Sequence, residues 1–223
     1  SALTLPRSKH ACCAVRGGVV VLAGQHARFK PDENEVEDSF TASVEISGYE
    51  QIFRALPPLS SGPRFGAAAV AIDESESELG QVLLIGGLTG MGEDIALSSA
   101  VHKVDLATGV CTPQPPLLSH QGHGPLNQFE LNTRGCSAAR LADGRIVCFA
   151  GVGLGGTAQV LEPPEQGTSA SGASWQWRYL PAMSVGHYGG RGCVLSDSRF
   201  AVFGGSDNND RSCEVLTLHG DDE

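Results

Sequence analysis

Four short apolar runs in this chain end on a small residue followed by glycine: VVVLAG at Val19–Gly24, VLLIGG at Val82–Gly87, IVCFAG at Ile146–Gly151 and FAVFGG at Phe200–Gly205. Each stands at a set distance from an upstream marker. Arg7 to Gly24, Arg134 to Gly151 and Tyr188 to Gly205 span the same number of positions. Arg64 to Gly87 is longer only by part of the polar acidic stretch DESESELG, which belongs in a turn. A second register follows each run. FRALPPL at Phe53–Leu59 matches WRYLPAM at Trp177–Met183, CTPQPPL at Cys111–Leu117 is a weaker copy, and LTLP at Leu3–Pro6 resembles the tail of another. Between the two lies one more strand-like run: SVEI (43–46), AVHKVDL (100–106), AQVLE (158–162) and CEVLTL (213–218).

Each unit therefore holds four short β runs set off by Gly, Asp, Ser and Pro, and no segment shows the i, i+3, i+4, i+7 spacing of an amphipathic helix. Self-similarity at a period of roughly 50 residues with four strands per unit is the pattern of propeller blades. An irregular β-sandwich has turn-spaced strands too, but gives no reason for a register kept residue by residue. The expected fold is all-β, a four-bladed propeller in one domain over residues 1–223. Its units run over 7–59, 64–117, 134–183 and 188–218. Leu3–Pro6 either closes the last blade as its outer strand or belongs to a larger ring.

On these residues the chain resembles the kelch-repeat β-propeller family. That family's blade carries a Gly pair after its second strand and an aromatic residue before Leu-Pro in its fourth. Gly86-Gly87, Gly204-Gly205, Trp177 with Leu180-Pro181, and Phe53 with Leu56-Pro57 match it. Ala23-Gly24, Ala150-Gly151 and the missing aromatic of the second unit depart from it. A turn crowded between neighbouring blades needs positive φ and close backbone approach, which glycine gives. Because Ala stands at the first position twice, only the second position is expected to need positive φ.

Composition narrows the function. The net charge is −10 and no Lys/Arg cluster reverses it, so phosphate backbones and anionic membranes are repelled. No apolar run is long enough to span a bilayer, and residues 1–16 lack the pattern of a secretion signal. The seven cysteines include an adjacent pair, Cys12-Cys13, and sit in apolar runs, so they read as reduced core thiols of a cytoplasmic protein rather than a disulfide framework. GGLTGMGED is not a phosphate loop: its glycines lack the G-x-G-x-x-G spacing and no helix follows.

Strand alternation puts the second-to-third and fourth-to-first connections on one face. The long loops QHARFKPDENEVEDSF and LSHQGHGPLNQFELNT belong there. Arg7, Arg64, Arg134 and Tyr188, with His187 beside them, mark the start of each innermost strand and are expected at the channel mouth. Guanidiniums there suit carboxylate recognition, so this face is expected to bind an acidic peptide or a small carboxylate. The alternative is that they pair with neighbouring acids or cap carbonyls between blades. His120 and His123 lack further ligands at metal spacing, and neither metal nor cofactor is expected.

Kelch-like propellers also include enzymes. Radical-copper oxidation needs tyrosines at the axis, and of Tyr49, Tyr179 and Tyr188 only the last falls near it. A lyase or isomerase needs an acid/base pair, for which only loop carboxylates such as Asp32, Glu33 and Glu130 are placed to reach. The expectation is a non-catalytic protein–protein interaction scaffold, with a small-molecule enzyme as the alternative.

Overall fold

A computed structural model describes residues 2–218 apart from 31–34, 49, 51, 73–78, 91–93, 119–134, 150–156, 163–174, 182, 186, 188, 196–198 and 206–211. Every named element is a β-strand. The first sheet holds β1 (Ala11–Val15), β2 (Gly18–Leu22), β5 (Val44–Ser47) and β6 (Phe53–Leu56), with a hairpin of β3 (Gln25–Lys30) and β4 (Glu35–Phe40) between its second and third strands. The second holds β7 (Ala68–Ile72), β8 (Gln81–Ile85), β11 (Val101–Asp105) and β12 (Cys111–Gln114), with the short pair β9 (Leu88–Thr89) and β10 (Ala96–Leu97) in the same place. β13 (Ser137–Arg140), β14 (Ile146–Phe149), β15 (Ala158–Glu162) and β16 (Gln176–Tyr179) form the third. β17 (Arg191–Val194), β18 (Arg199–Phe203) and β19 (Cys213–Thr217) form the fourth.

All pairings within these sheets are antiparallel, and β1, β7, β13 and β17 pack side by side in that order around a common channel. The chain is a four-bladed β-propeller. Among the described residues no helix is long and apolar enough to cross a membrane.

The strand period of two decides which blade each side chain meets. In β2, Val20 and Leu22 face the second blade, where Val82 and Leu84 meet them. In β8, Leu83 and Ile85 face the third blade and meet Ile146 and Cys148. In β14, Val147 and Phe149 face the fourth and meet Phe200 and Val202. Continuous apolar runs follow directly in β8 and β14, which are covered on both faces. Each fully buried Leu, Ile or Phe contributes about 1.5–3 kcal/mol. Trp177 adds a fixed tie between blades, its indole N–H donating to Pro115 O at 2.8 Å.

The glycine pairs differ from expectation. Both positions take positive φ: 58° and 111° at Ala23-Gly24, 64° and 91° at Gly86-Gly87, 62° and 137° at Gly204-Gly205. The first sits in the small left-handed region, which an alanine can enter at a cost of about 1–2 kcal/mol. The second lies beyond it, and a Cβ there would stand 2.9 Å from Ser8 O at Gly24 and 2.7 Å from Phe65 O at Gly87. Steric approach, not the sign of φ, makes the second position strictly glycine.

Two further expectations are corrected. The first-unit connection, expected as a loop, folds back as the β3–β4 hairpin, and Phe40 at its end packs on Phe65 with ring centroids 4.1 Å apart. Leu3–Pro6 is not a strand paired to β19. Its Thr4 and Leu5 amides are held by Glu45 of the first blade, because a carboxylate satisfies donors that a sheet edge would otherwise take.

Candidate functional site

Four residues before β1, β7 and β17 stand Arg7, Arg64 and His187, and each is stitched into its own blade. Arg7 donates from Nη1 to Ala23 O at 3.1 Å and Ser43 O at 2.9 Å, and from Nε to Leu5 O at 3.2 Å. Its other nitrogen pairs with Glu45, the two side chains being 0% and 2% exposed. Arg64 repeats the pattern, donating to Gly86 O at 3.3 Å and Ala100 O at 3.2 Å, with His102 Nδ1 at 3.3 Å. His187 reaches Gly204 O with Nδ1 at 2.5 Å and Glu214 with Nε2 at 3.1 Å. These three side chains are buried, and none forms an open basic funnel. Arg134 and Tyr188 lie outside the described residues, as do His120 and His123.

Glu45, His102, Gln159 and Glu214 share one register. Their Cα partners are Val21, Leu84, Cys148 and Val202, each three residues before the second glycine of its unit. The position grips the segment leading into the blade. Glu45 accepts from the Thr4 amide at 2.7 Å, the Thr4 hydroxyl at 2.6 Å and the Leu5 amide at 3.2 Å. Glu214 accepts from the amides of Ser184 at 2.8 Å and Val185 at 3.0 Å. Gln159 bonds both the N–H and the C=O of Leu118, at 2.9 and 3.0 Å. Desolvation pushes the Glu45 carboxyl up, but the Thr4 and Leu5 donors and the Arg7 charge outweigh it and hold the group below its usual range. Glu214 is held low in the same way by Ser184, Val185 and His187. The signal was present in the sequence as Glu45, His102, Gln159 and Glu214, which recur at near-equal spacing in the third runs, but only two of the four are carboxylates and no residue type marks the position.

The channel is small, about 180 Å³, and its lining is short, Ala11, Ala68, Ala138 and Gly192 among it, with His10, Arg191 and the Cys12 and Cys136 thiols as titratable groups. A Cβ on Gly192 would meet the Phe200 ring at 2.3 Å, so the innermost strand has no room for more. Desolvation, with the nearby Arg7 and Arg191 charges, lowers the His10 pKa despite a hydrogen bond at Arg7, and its Nδ1 is buried without a partner among the described residues.

Blades one and four meet at this channel, and on their facing sides Val21, Glu45 and Ala201 are buried while other positions are open. Two residues before the second glycine, Leu22, Ile85 and Phe149 are 0% exposed, whereas Phe203 is 46% exposed. Five residues before it, Val82 and Ile146 are 0% and Phe200 2% exposed, whereas Val19 is 44% exposed. Val215 on β19 and the thiols of Cys12, Cys193 and Cys213 are exposed on the same two faces. Only Cys136 and Cys148 are fully buried thiols, so the reading of all seven as core residues does not hold; Cys12, Cys193 and Cys213 sit at positions on the facing sides of blades one and four that are uncovered among the described residues.

No family model and no curated protein matches this chain. Many solved structures do, and one of YjhT aligns with a TM-score of 0.60 at 13% sequence identity, over 90% of this chain and 59% of that one. At that identity the likeness is one of fold. This chain spans 59% of the length of that structure.

Proposed function

We propose that this chain is a non-catalytic protein-interaction scaffold of the kelch-propeller kind, which docks its partner on the open sides of blades one and four. The observation that carries this is the exposure of Phe203 and Val19 at registers that are dry in the other blades, with Val215 exposed on the same face as Phe203. Contiguous apolar surface of this sort marks interaction sites on soluble proteins. The surface to fit it is an apolar sheet face, the shape that the three internal interfaces already accommodate. The β3–β4 and β9–β10 hairpins, standing on the second-to-third connections, offer a second contact region on the loop face. Arg7 and His187 contribute to docking by fixing the segments that frame this cleft and the neighbouring blade, since their carboxylate partners lie within the chain.

The test compares wild type with the double variant Phe203→Glu/Val215→Glu. The reading predicts an unchanged circular dichroism spectrum and thermal midpoint, with loss of the partner that the wild type captures stoichiometrically. Equal capture by both proteins contradicts it.

A further inference from the structure

In the second blade the clasp is incomplete. Ser61 stands where Thr4 stands in the first blade, three residues before the guanidinium, and His102 stands where Glu45 does. Thr4 and Arg7 converge on a carboxylate; among the described residues Ser61 and Arg64 do not have one. The Ser61 hydroxyl, whose counterpart on Thr4 donates to Glu45, is buried without a hydrogen-bond partner among the described residues, and so is Arg64 Nε, whose counterpart on Arg7 donates to Leu5 O. His102 offers Arg64 a single lone pair through Nδ1, where a carboxylate offers about four acceptor sites. Arg64 is 2% exposed, and the titratable groups acting on its charge are His102, Cys111 and Cys136, none of them a carboxylate. A buried cation left without an anion is costly, and the first blade shows the group that relieves it. In blade three the equivalent residue is Gln159, which is satisfied at both ends.

We propose that Arg64, Ser61 and His102 form a binding site for a carboxylate group supplied from outside the blade. Ser61 and His102 are only half-buried, so the site reaches the surface beside them. The guest carboxylate accepts from the Ser61 hydroxyl and the Arg64 guanidinium, doing for the second blade what Glu45 does for the first. The same chemistry is carried by a small free acid and by an acidic side chain of a protein partner.

The experiment follows the thermal midpoint of wild type and of His102→Glu, in which the chain supplies its own carboxylate, during titration with sodium acetate against sodium chloride at constant ionic strength. Acetate near ten times its dissociation constant should raise the wild-type midpoint by about 3–6 °C. His102→Glu should start higher and stay level. Acetate acting no better than chloride, or acting equally on both proteins, overturns the site. A parallel arm with acetyl-Glu-Ser-Glu-amide separates the sources: saturation at tenfold lower concentration than acetate assigns the site to a partner side chain, and parity assigns it to a free acid. Should His102→Glu not fold, the His102 ring resonances of wild type decide. Movement with acetate but not chloride supports the site, and no movement overturns it.

Discussion

Glu214 of the fourth blade occupies the register of Glu45 of the first, and each carboxylate holds two successive backbone amides of the segment that leads into its blade. The partners differ, Arg7 in one case and His187 in the other, but the geometry is the same. Removing one member of a buried ion pair strands the other, so Glu45→Gln should cost about 3–5 kcal/mol. Glu214 is 24% exposed and water can replace part of what it accepts, so Glu214→Gln should cost less, about 1–3 kcal/mol. Urea unfolding of the two variants measures both numbers and their order.

The same carboxylates set a pH dependence. Glu45, Glu214 and Asp105 are all held below their ordinary range in the folded chain: burial works against the charged form, and the hydrogen bonds they accept outweigh it. A depressed folded pKa means that the unfolded chain binds protons first as the solution is acidified. The stabilisation is therefore complete above the unfolded value of about 4 and is lost as pH falls through the lowered folded values. Unfolding free energy should decline gently from pH 7 to 5, where the unfolded chain protonates His10 and His102 ahead of the folded one, and fall steeply below 4. The Glu45→Gln/Glu214→Gln double variant should show a shallower acid limb.

The blade pattern was legible because β8 and β14 are sandwiched between neighbours. Every residue of VLLIGG must be apolar or small, and such runs stand out. The clasp was legible only in part, because the spacing between it and the glycines runs across a turn of variable length. The hairpin from Ala11 to Leu22 is one residue shorter than that from Arg191 to Phe203. Counting from Gly205 therefore lands on Tyr188, while counting four back from the strand, as for Arg7 and Arg64, lands on His187. The acceptor position was hidden more deeply. Glu, His, Gln and Glu share a place in space and a donor to receive, not a side-chain type.

The two glycine positions should respond differently to alanine. At Gly204 an added Cβ meets nothing within 4 Å, so Gly204→Ala should cost about 1–2 kcal/mol from the left-handed backbone alone. At Gly87 the added Cβ stands 2.7 Å from a backbone carbonyl that β-bridging to Leu88 holds in place. Gly87→Ala should cost more than Gly204→Ala, and thermal denaturation of the pair gives the ranking.

Native-state thiol alkylation of the dilute chain, read site by site by mass spectrometry, most directly tests whether the outer sides of blades one and four lack a covering neighbour. Cys12, Cys193 and Cys213 are exposed there, whereas burial and the adjacent Cys12 push the Cys13 thiol up to about 12, and Cys136 and Cys148 lie in the core between blades two and three. The account predicts rapid modification of Cys12, Cys193 and Cys213 while Cys13, Cys136 and Cys148 stay unmodified until the protein unfolds. Protection of Cys193 and Cys213 to the level of Cys148 would contradict it.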